Sequence, residues 1–202
     1  MQKKILAIGL ISALSSTAMA EGMYLAIDVG QTTAKDACVD LPAGFTCNDK
    51  STAFRFGGGY QFTPNFGIEA TYGLLGTAKI SGVLISAGTP IAMNFDVTNT
   101  TLQASAIGTL PLSENFSIFG KMGVASSTIT LKGRGTAAGF SATLPERTKT
   151  KSNLAYGVGA QFNLTPKVGI RAQYENLGEV GDDIETPKVK LSLISAGLVV
   201  KF

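Results

Sequence analysis

The sequence contains no histidine and no tryptophan, and only 15% of its 202 residues are charged. Each shortage excludes something. Without histidine there is no Ser–His–Asp or Cys–His nucleophilic machinery and no zinc site of the histidine type. The charge content lies well below the roughly 25% usual in soluble domains. Yet beyond the first twenty residues no stretch approaches 18 consecutive apolar residues, so no segment reads as a transmembrane helix. With Lys3 and Lys4 set aside, the 17 basic residues fall to 15 against 14 acidic ones. A chain so nearly neutral lacks the clustered basic face that nucleic acid requires. Cysteine is limited to Cys38 and Cys47, too few for a metal centre when no histidine accompanies them. No enzyme and no cofactor are expected.

What is present begins with an export signal. Lys3 and Lys4 precede a mostly apolar run from Ile5 to Leu14, and Ala18-Met19-Ala20 is a small-x-small cleavage site, the anatomy of a secretory signal peptide. Ten residues cannot cross a bilayer as a helix, which needs roughly 20. The expected division is a signal peptide over 1–20 and one domain over 21–202. An exported chain meets an oxidising compartment, which favours a disulfide between Cys38 and Cys47 over two free thiols.

The dominant pattern in the domain is alternation with period two. Phe54, Phe56, Tyr60 and Phe62 share one face of a run whose other face carries Arg55, Gly57, Gly59 and Gln61. After Thr63-Pro64-Asn65 the pattern resumes, with Phe66, Ile68, Ala70, Tyr72 and Leu74 opposite Gly67, Glu69, Thr71 and Gly73. This is a hairpin with a tight turn. A similar hairpin turns at Thr165-Pro166-Lys167, and a looser one at Pro111-Leu112-Ser113-Glu114-Asn115. Three hairpins with one strand before and one after make eight, over 23–31, 53–62, 66–75, 94–110, 116–131, 153–163, 168–177 and 188–202. The fourth is the hardest to phase, and Ile80 to Met93 fits either a loop or an extension of strands three and four above the membrane. Short Pro-containing turns alternate with longer connections near 32–52, 76–93, 132–152 and 178–187, the asymmetry of periplasmic turns against extracellular loops. Asp182-Asp183 and Glu185 in the last of these form a solvated acidic turn. Gly57-Gly58-Gly59 lies within a strand with no helix after it, so it is a sheet bend and not a phosphate loop.

Three features place the apolar face against lipid. Charges within strands (Asp28, Arg55, Glu69, Lys121, Arg171) lie on the polar face, with Lys190, and Asp96 in the strand hardest to phase, as exceptions. An Arg or Lys facing lipid at mid-bilayer costs roughly 2–4 kcal/mol. Aromatic residues collect at strand ends: Phe62, Phe66, Phe116, Phe162 and Phe202 at the turn side, Phe54, Phe56, Tyr72 and Tyr174 towards the other. The chain closes on Ile194, Ala196, Leu198, Val200 and Phe202 at every second position. An open sheet edge in lipid would leave backbone groups unpaired. The expected fold is therefore all-β: an eight-stranded antiparallel up-and-down transmembrane β-barrel of the outer membrane.

At Phe56-Gly57-Gly58-Gly59-Tyr60-Gln61, Phe66-Gly67-Ile68-Glu69, Gly157-Val158-Gly159-Ala160-Gln161-Phe162, Thr165-Pro166 through Tyr174, and the terminal Leu198-Val199-Val200-Lys201-Phe202, the sequence resembles the transmembrane domain of OmpA and its short OmpX-like and opacity-protein-like relatives. The resemblance spans 23–202. It implies recognition of the terminal Phe202 by the barrel-assembly machinery. It also implies a lumen filled by an ionic network, with Glu69 and Arg171 as the central pair, Lys121 as a further basic member, and Gln161 or Gln173 where a second carboxylate usually stands.

An eight-stranded barrel is just wide enough for side chains to fill. Glu69, Lys121 and Arg171 are expected to pair across it with Asp28, and Arg55 with Glu175 to form an upper pair. Two functions follow. One is a structural or adhesin-like surface protein that acts through its loops, a monomer among outer-membrane lipids and lipopolysaccharide. The other is a narrow passive pore. The third loop carries Lys132, Arg134, Arg147, Lys149 and Lys151, a charge set suited to anionic lipopolysaccharide.

Overall fold

The structure, a computed structural model, describes residues 22–38, 44–86, 89–137, 140–182 and 186–202. The signal peptide over 1–20, and Asp183 and Glu185 of the acidic turn, lie outside these residues. Eight strands form the barrel: β1 (Met23–Lys35), β3 (Lys50–Thr63), β4 (Phe66–Ser86), β5 (Thr89–Pro111), β6 (Phe116–Ala137), β8 (Arg147–Asn163), β9 (Val168–Asp182) and β10 (Thr186–Lys201). Each pairs antiparallel with the next, and β1 closes the ring on β10, from Tyr24↔Lys201 to Lys35↔Lys190. Closure gives every strand of the ring a hydrogen-bonded neighbour on each side, as hydrocarbon demands.

The short turns sit at one end, where the Phe202 N–H also donates to the Met23 carbonyl at 3.0 Å. Thr63 and Thr165 shape two of these turns: the Thr63 hydroxyl accepts from the N–H groups of Asn65 and Phe66, and the Thr165 hydroxyl from Lys167 and Val168. In this lower half the outward residues are apolar and exposed, among them Leu25, Ile27, Val29, Ile68, Met122, Val124, Val158 and Leu198. Phe62, Phe66, Phe116, Phe162 and Phe202 ring the turn end, all exposed. Higher up, Phe56 and Tyr72 touch across the strand pair with ring centroids 5.4 Å apart.

The strands run well past the apolar belt. β4 and β5 continue as a paired hairpin to Ser86↔Thr89, so Ile80 to Met93 is strand except at residues 87–88, which are not described. Two four-residue strands flank this extension. β2 (Phe45–Asn48) takes over from β3 beside β4, and β7 (Phe140–Thr143) pairs with the far end of β6. The result is a five-stranded blade, β2-β4-β5-β6-β7, standing above the closed ring. The Cys38–Cys47 disulfide joins the segment after β1 to β2.

The polarity of the sheet inverts where the belt ends. Outward positions become hydroxyl-rich, with cross-strand contacts Thr77–Thr98 at 3.0 Å, Thr128–Thr150 at 2.8 Å and Thr130–Thr148 at 3.4 Å. Inward positions become apolar: Leu75, Ile129, Leu177, Val180, Val189, Leu191 and Leu193 form a buried core inside the upper barrel. Two β-bulges sit at this level. The β4–β5 register shifts between Leu74 and Thr77, and β9–β10 shifts at Leu191/Ser192 opposite Gly178. Gly76 and Gly178 both have φ of +83°, a conformation glycine adopts without steric penalty.

Asp96 faces outward above the belt, in a row with Lys79 and Lys132 set by register, so it does not meet hydrocarbon. Lys190 is also above the belt and lies 3.8 Å from Asp36. Space requires two glycines of the run. A Cβ on Gly59 would fall 2.2 Å from the Tyr24 ring, and one on Gly57 would strike Thr71.

Candidate functional site

The parity that turns Ile27, Phe54, Ile68 and Ile170 to lipid turns their neighbours Asp28, Arg55, Glu69 and Arg171 to the lumen. With Lys121 and Glu175, these make three cations and three carboxylates, each no more than 4% exposed. The set is balanced in charge, which is the condition for holding ions away from water.

Arg171 is the hub. Its Nε and Nη2 donate to the two oxygens of Asp28 at 2.8 and 2.6 Å, and its Nη1 donates to Glu69 Oε2 at 2.6 Å. A fork of this kind uses the planar guanidinium fully. Glu69 Oε1 accepts from Lys121 Nζ at 2.6 Å, and Lys121 lies 3.9 Å from Glu175. Glu175 is paired in turn with Arg55. Asp28, Arg171, Glu69, Lys121, Glu175 and Arg55 therefore form one continuous chain across the lumen, joining the expected four-residue network to the upper Arg55–Glu175 pair.

Glu175, and not Gln161 or Gln173, is the second carboxylate beside Lys121. Its place in the upper pair with Arg55 puts it within reach of both cations. The glutamines act differently. Gln173 donates to Asp28 at 3.4 Å and to Ser195 at 3.3 Å, while Gln161 donates to Asn163 at 2.9 Å near the turn end.

Three further members were not singled out by sequence reasoning. The Tyr24 hydroxyl donates to Glu69 Oε2 at 3.0 Å. Thr71 and Gln103 accept from Arg55 Nη2 at 2.7 and 3.2 Å, and Gln103 passes a hydrogen bond on to Glu175 at 3.2 Å. The available signal was inward parity: all three are polar residues in phase with the charges.

Directly above lies the apolar core. Leu75, Leu177, Leu191 and Leu193 are fully buried there, and the space beside Ala34, Asn99 and Ile129 is a cavity of only about 30 Å³. Below the network the lumen widens into a vestibule of about 980 Å³ open at the turn end, lined by Tyr24, Gln161, Asn163 and Lys201 and reaching Lys121 and Arg171. Among the described residues no group of three or more Cys, Asp or Glu side chains is placed to hold a metal ion.

The basic residues of the third connection do not form one loop. Lys132 and Arg134 are in β6 and face outward. Arg147, Lys149 and Lys151 are in β8, paired with Leu131, Ile129 and Ser127, and so share the opposite face. Lys132 lies 3.3 Å from Glu146, and Lys151 lies 3.8 Å from Glu179.

A family model described as "Outer membrane protein beta-barrel domain" matches residues 5–202. The chain belongs to this family. It is an outer-membrane β-barrel. The fold is similar to that of the outer membrane protein OprG from Pseudomonas aeruginosa, with 13% identity and a TM-score of 0.55 over 90% of this chain and 96% of that one. It is similar to neisserial surface protein A, with 17% identity and a TM-score of 0.52 over 90% and 97%. The N-terminal β-barrel domain of Pseudomonas aeruginosa OprF gives 11% identity and a TM-score of 0.52 over 89% and 97%. No curated protein matches the chain in a sequence comparison.

Proposed function

We propose that this outer-membrane barrel is closed to solutes, carries no catalytic activity, and acts through its extracellular surface as an adhesin-like protein. The observation that supports this most is double closure. A charge-balanced ionic layer is followed immediately by a layer of buried leucines, so opening one layer leaves the other in place. Meanwhile an ordered blade rises outside the membrane, where the short-turn end marks the periplasm. Lipopolysaccharide is the partner proposed for the outward cations Lys79, Lys132 and Arg134, by charge attraction. Phe202, exposed at the periplasmic rim, is the residue proposed to be recognised by the barrel-assembly machinery.

The test is planar-bilayer conductance of the refolded protein over residues 21–202, with Glu69→Gln alongside. Neither protein is expected to conduct, because the leucine layer is intact in both. Steady discrete channels in the unaltered protein would overturn the proposal. The vestibule favours the pore as the second reading, since it opens at the turn end and its lining extends to Lys121 and Arg171. That reading expects channels whose size changes with Glu69→Gln.

A further inference from the structure

The tip of the blade does not follow the inverted pattern beneath it. Val83, Leu84 and Ile85 are consecutive residues of β4, and they are 51%, 41% and 78% exposed. Consecutive strand residues point to opposite faces, so both faces of the sheet are apolar and uncovered here. Across the hairpin, Ile85 pairs with Pro90, Leu84 with Ile91 and Val83 with Ala92. The next hairpin adds Phe140 of β7, paired with Ala137 one position beyond Ala92↔Thr136, and 82% exposed. Below the tip the sheet is polar on its outer face, with Ser81, Asn94 and Arg134 in one row and Lys79, Asp96 and Lys132 in another.

This tip does not lie in the protein's own bilayer. Ile85 stands eleven residues beyond Leu74, the last outward apolar residue of β4 within the belt. At strand rise and barrel tilt that is a height of roughly 25–30 Å, and the hydroxyl rows lie between. A protein partner's groove would cover one face of a sheet. An edge apolar on both faces, with cations beneath it, matches a medium that surrounds it: hydrocarbon, with anionic headgroups at the level of Arg134 and Lys132.

We propose that the tip formed by Val83, Leu84, Ile85, Ile91 and Phe140 inserts into an apposed anionic phospholipid bilayer, anchoring the bacterial surface to a second membrane. The inference rests on the extracellular placement of the blade and extends the surface-interaction reading by naming the partner as lipid.

The chain has no tryptophan, so Ile85→Trp supplies a single fluorophore at the tip. The variant, in nanodiscs of neutral phospholipid, is mixed with separate vesicles of phosphatidylcholine containing phosphatidylglycerol. Emission is expected to shift to the blue and to be quenched when the vesicle acyl chains are brominated. Thr98→Trp, in the hydroxyl band, is expected to show neither change. Co-flotation of the otherwise unaltered protein with the vesicles is expected to fall about tenfold or more in Ile85→Asp/Phe140→Asp, checked for folding by heat-modifiable gel migration. Replacing Lys132 and Arg134 with Gln is expected to remove the dependence on phosphatidylglycerol. An Ile85→Trp emission unmoved by vesicles would overturn the proposal. Binding confined to cells with intact surface proteins, and lost on trypsin treatment, would overturn it in favour of a protein partner. Either failure would leave the closed-lumen reading untouched, because conductance tests that separately.

Discussion

The lower and upper halves of this barrel are built from the same eight strands with opposite polarity. Below Gly76 and Gly178 the outward side chains are Leu25, Ile68, Met122 and Leu198, while the inward ones are Asp28, Glu69, Lys121 and Arg171. Above them the outward side chains are Thr77, Thr98, Thr128 and Thr150, and the inward ones are Ala78, Val97, Val180 and Val189. The strands are indifferent to which face is apolar; the solvent decides. Where lipid surrounds the sheet, the interior must hold the polar groups and satisfy them internally. Where water surrounds it, hydrophobic burial turns inward as in any soluble barrel.

The comparison predicts unequal responses to substitution. The largest effect is expected from Arg171→Met. It leaves the buried Asp28 and Glu69 carboxylates without their shared cation, and removing one partner of a buried pair costs about 3–5 kcal/mol. Urea unfolding of refolded protein in lipid vesicles measures it, and an unchanged midpoint would remove the network from any structural role. In the upper half, Leu191→Ala is expected to cost about 2–5 kcal/mol through loss of burial and a residual cavity. The same measurement reads it, and a loss below that of a surface change would mean the leucine layer is not a core.

Outward positions sharpen the contrast. Ala196→Lys places a charge against mid-belt lipid and is expected to cost about 2–4 kcal/mol. Thr128→Lys, also outward but above the belt, is expected to change stability by no more than about 0.5 kcal/mol. Equal penalties at the two sites would erase the boundary drawn here. A similarly small effect is expected from Thr77→Val, which removes one cross-strand hydroxyl contact with Thr98, about 0.2–1 kcal/mol. Reduction of Cys38–Cys47 falls between these, at about 2–3 kcal/mol on the chain-entropy account. Unfolding with and without reductant reads it.

The lower half was legible because its pattern is simple. Period-two alternation, charges in phase on one face and phenylalanines at the turn ends locate Asp28, Arg55, Glu69, Lys121 and Arg171 on the lumen side without coordinates. The upper half was not, and the reason is physical. Strands three and seven, read from sequence, stop at 75 and 177, one residue before Gly76 and Gly178. Each bulge inserts a residue and flips the parity of everything after it. In β5 and β6 no bulge intervenes, but the apolar face changes side, from Leu102 and Val124 outward to Phe95, Val97, Ile129 and Leu131 on the opposite parity. A pattern that reverses its phase looks like no pattern, and so 132–152 resembled a connection; in β4 the bulge and the inversion cancel, leaving Ala78 and Ile80 in phase with Leu74, but the break at Leu75-Gly76 hid the continuation. The basic residues of 132–151 then looked like one loop, whereas antiparallel register places them on two faces.

Alternation, turn placement and the scarcity of charge determined by themselves that this chain forms a closed antiparallel barrel and which residues of its membrane half face inward, because the lipid imposes one rule on every strand. Which inward charges meet was decided only by the tertiary structure, since that depends on strand stagger around the ring: Glu175 reaches Lys121 as well as Arg55, and Tyr24 finds Glu69 across the space left by Gly59. The inversion above the belt was likewise a tertiary outcome, for a side chain's solvent is set by how far its strand rises out of the membrane.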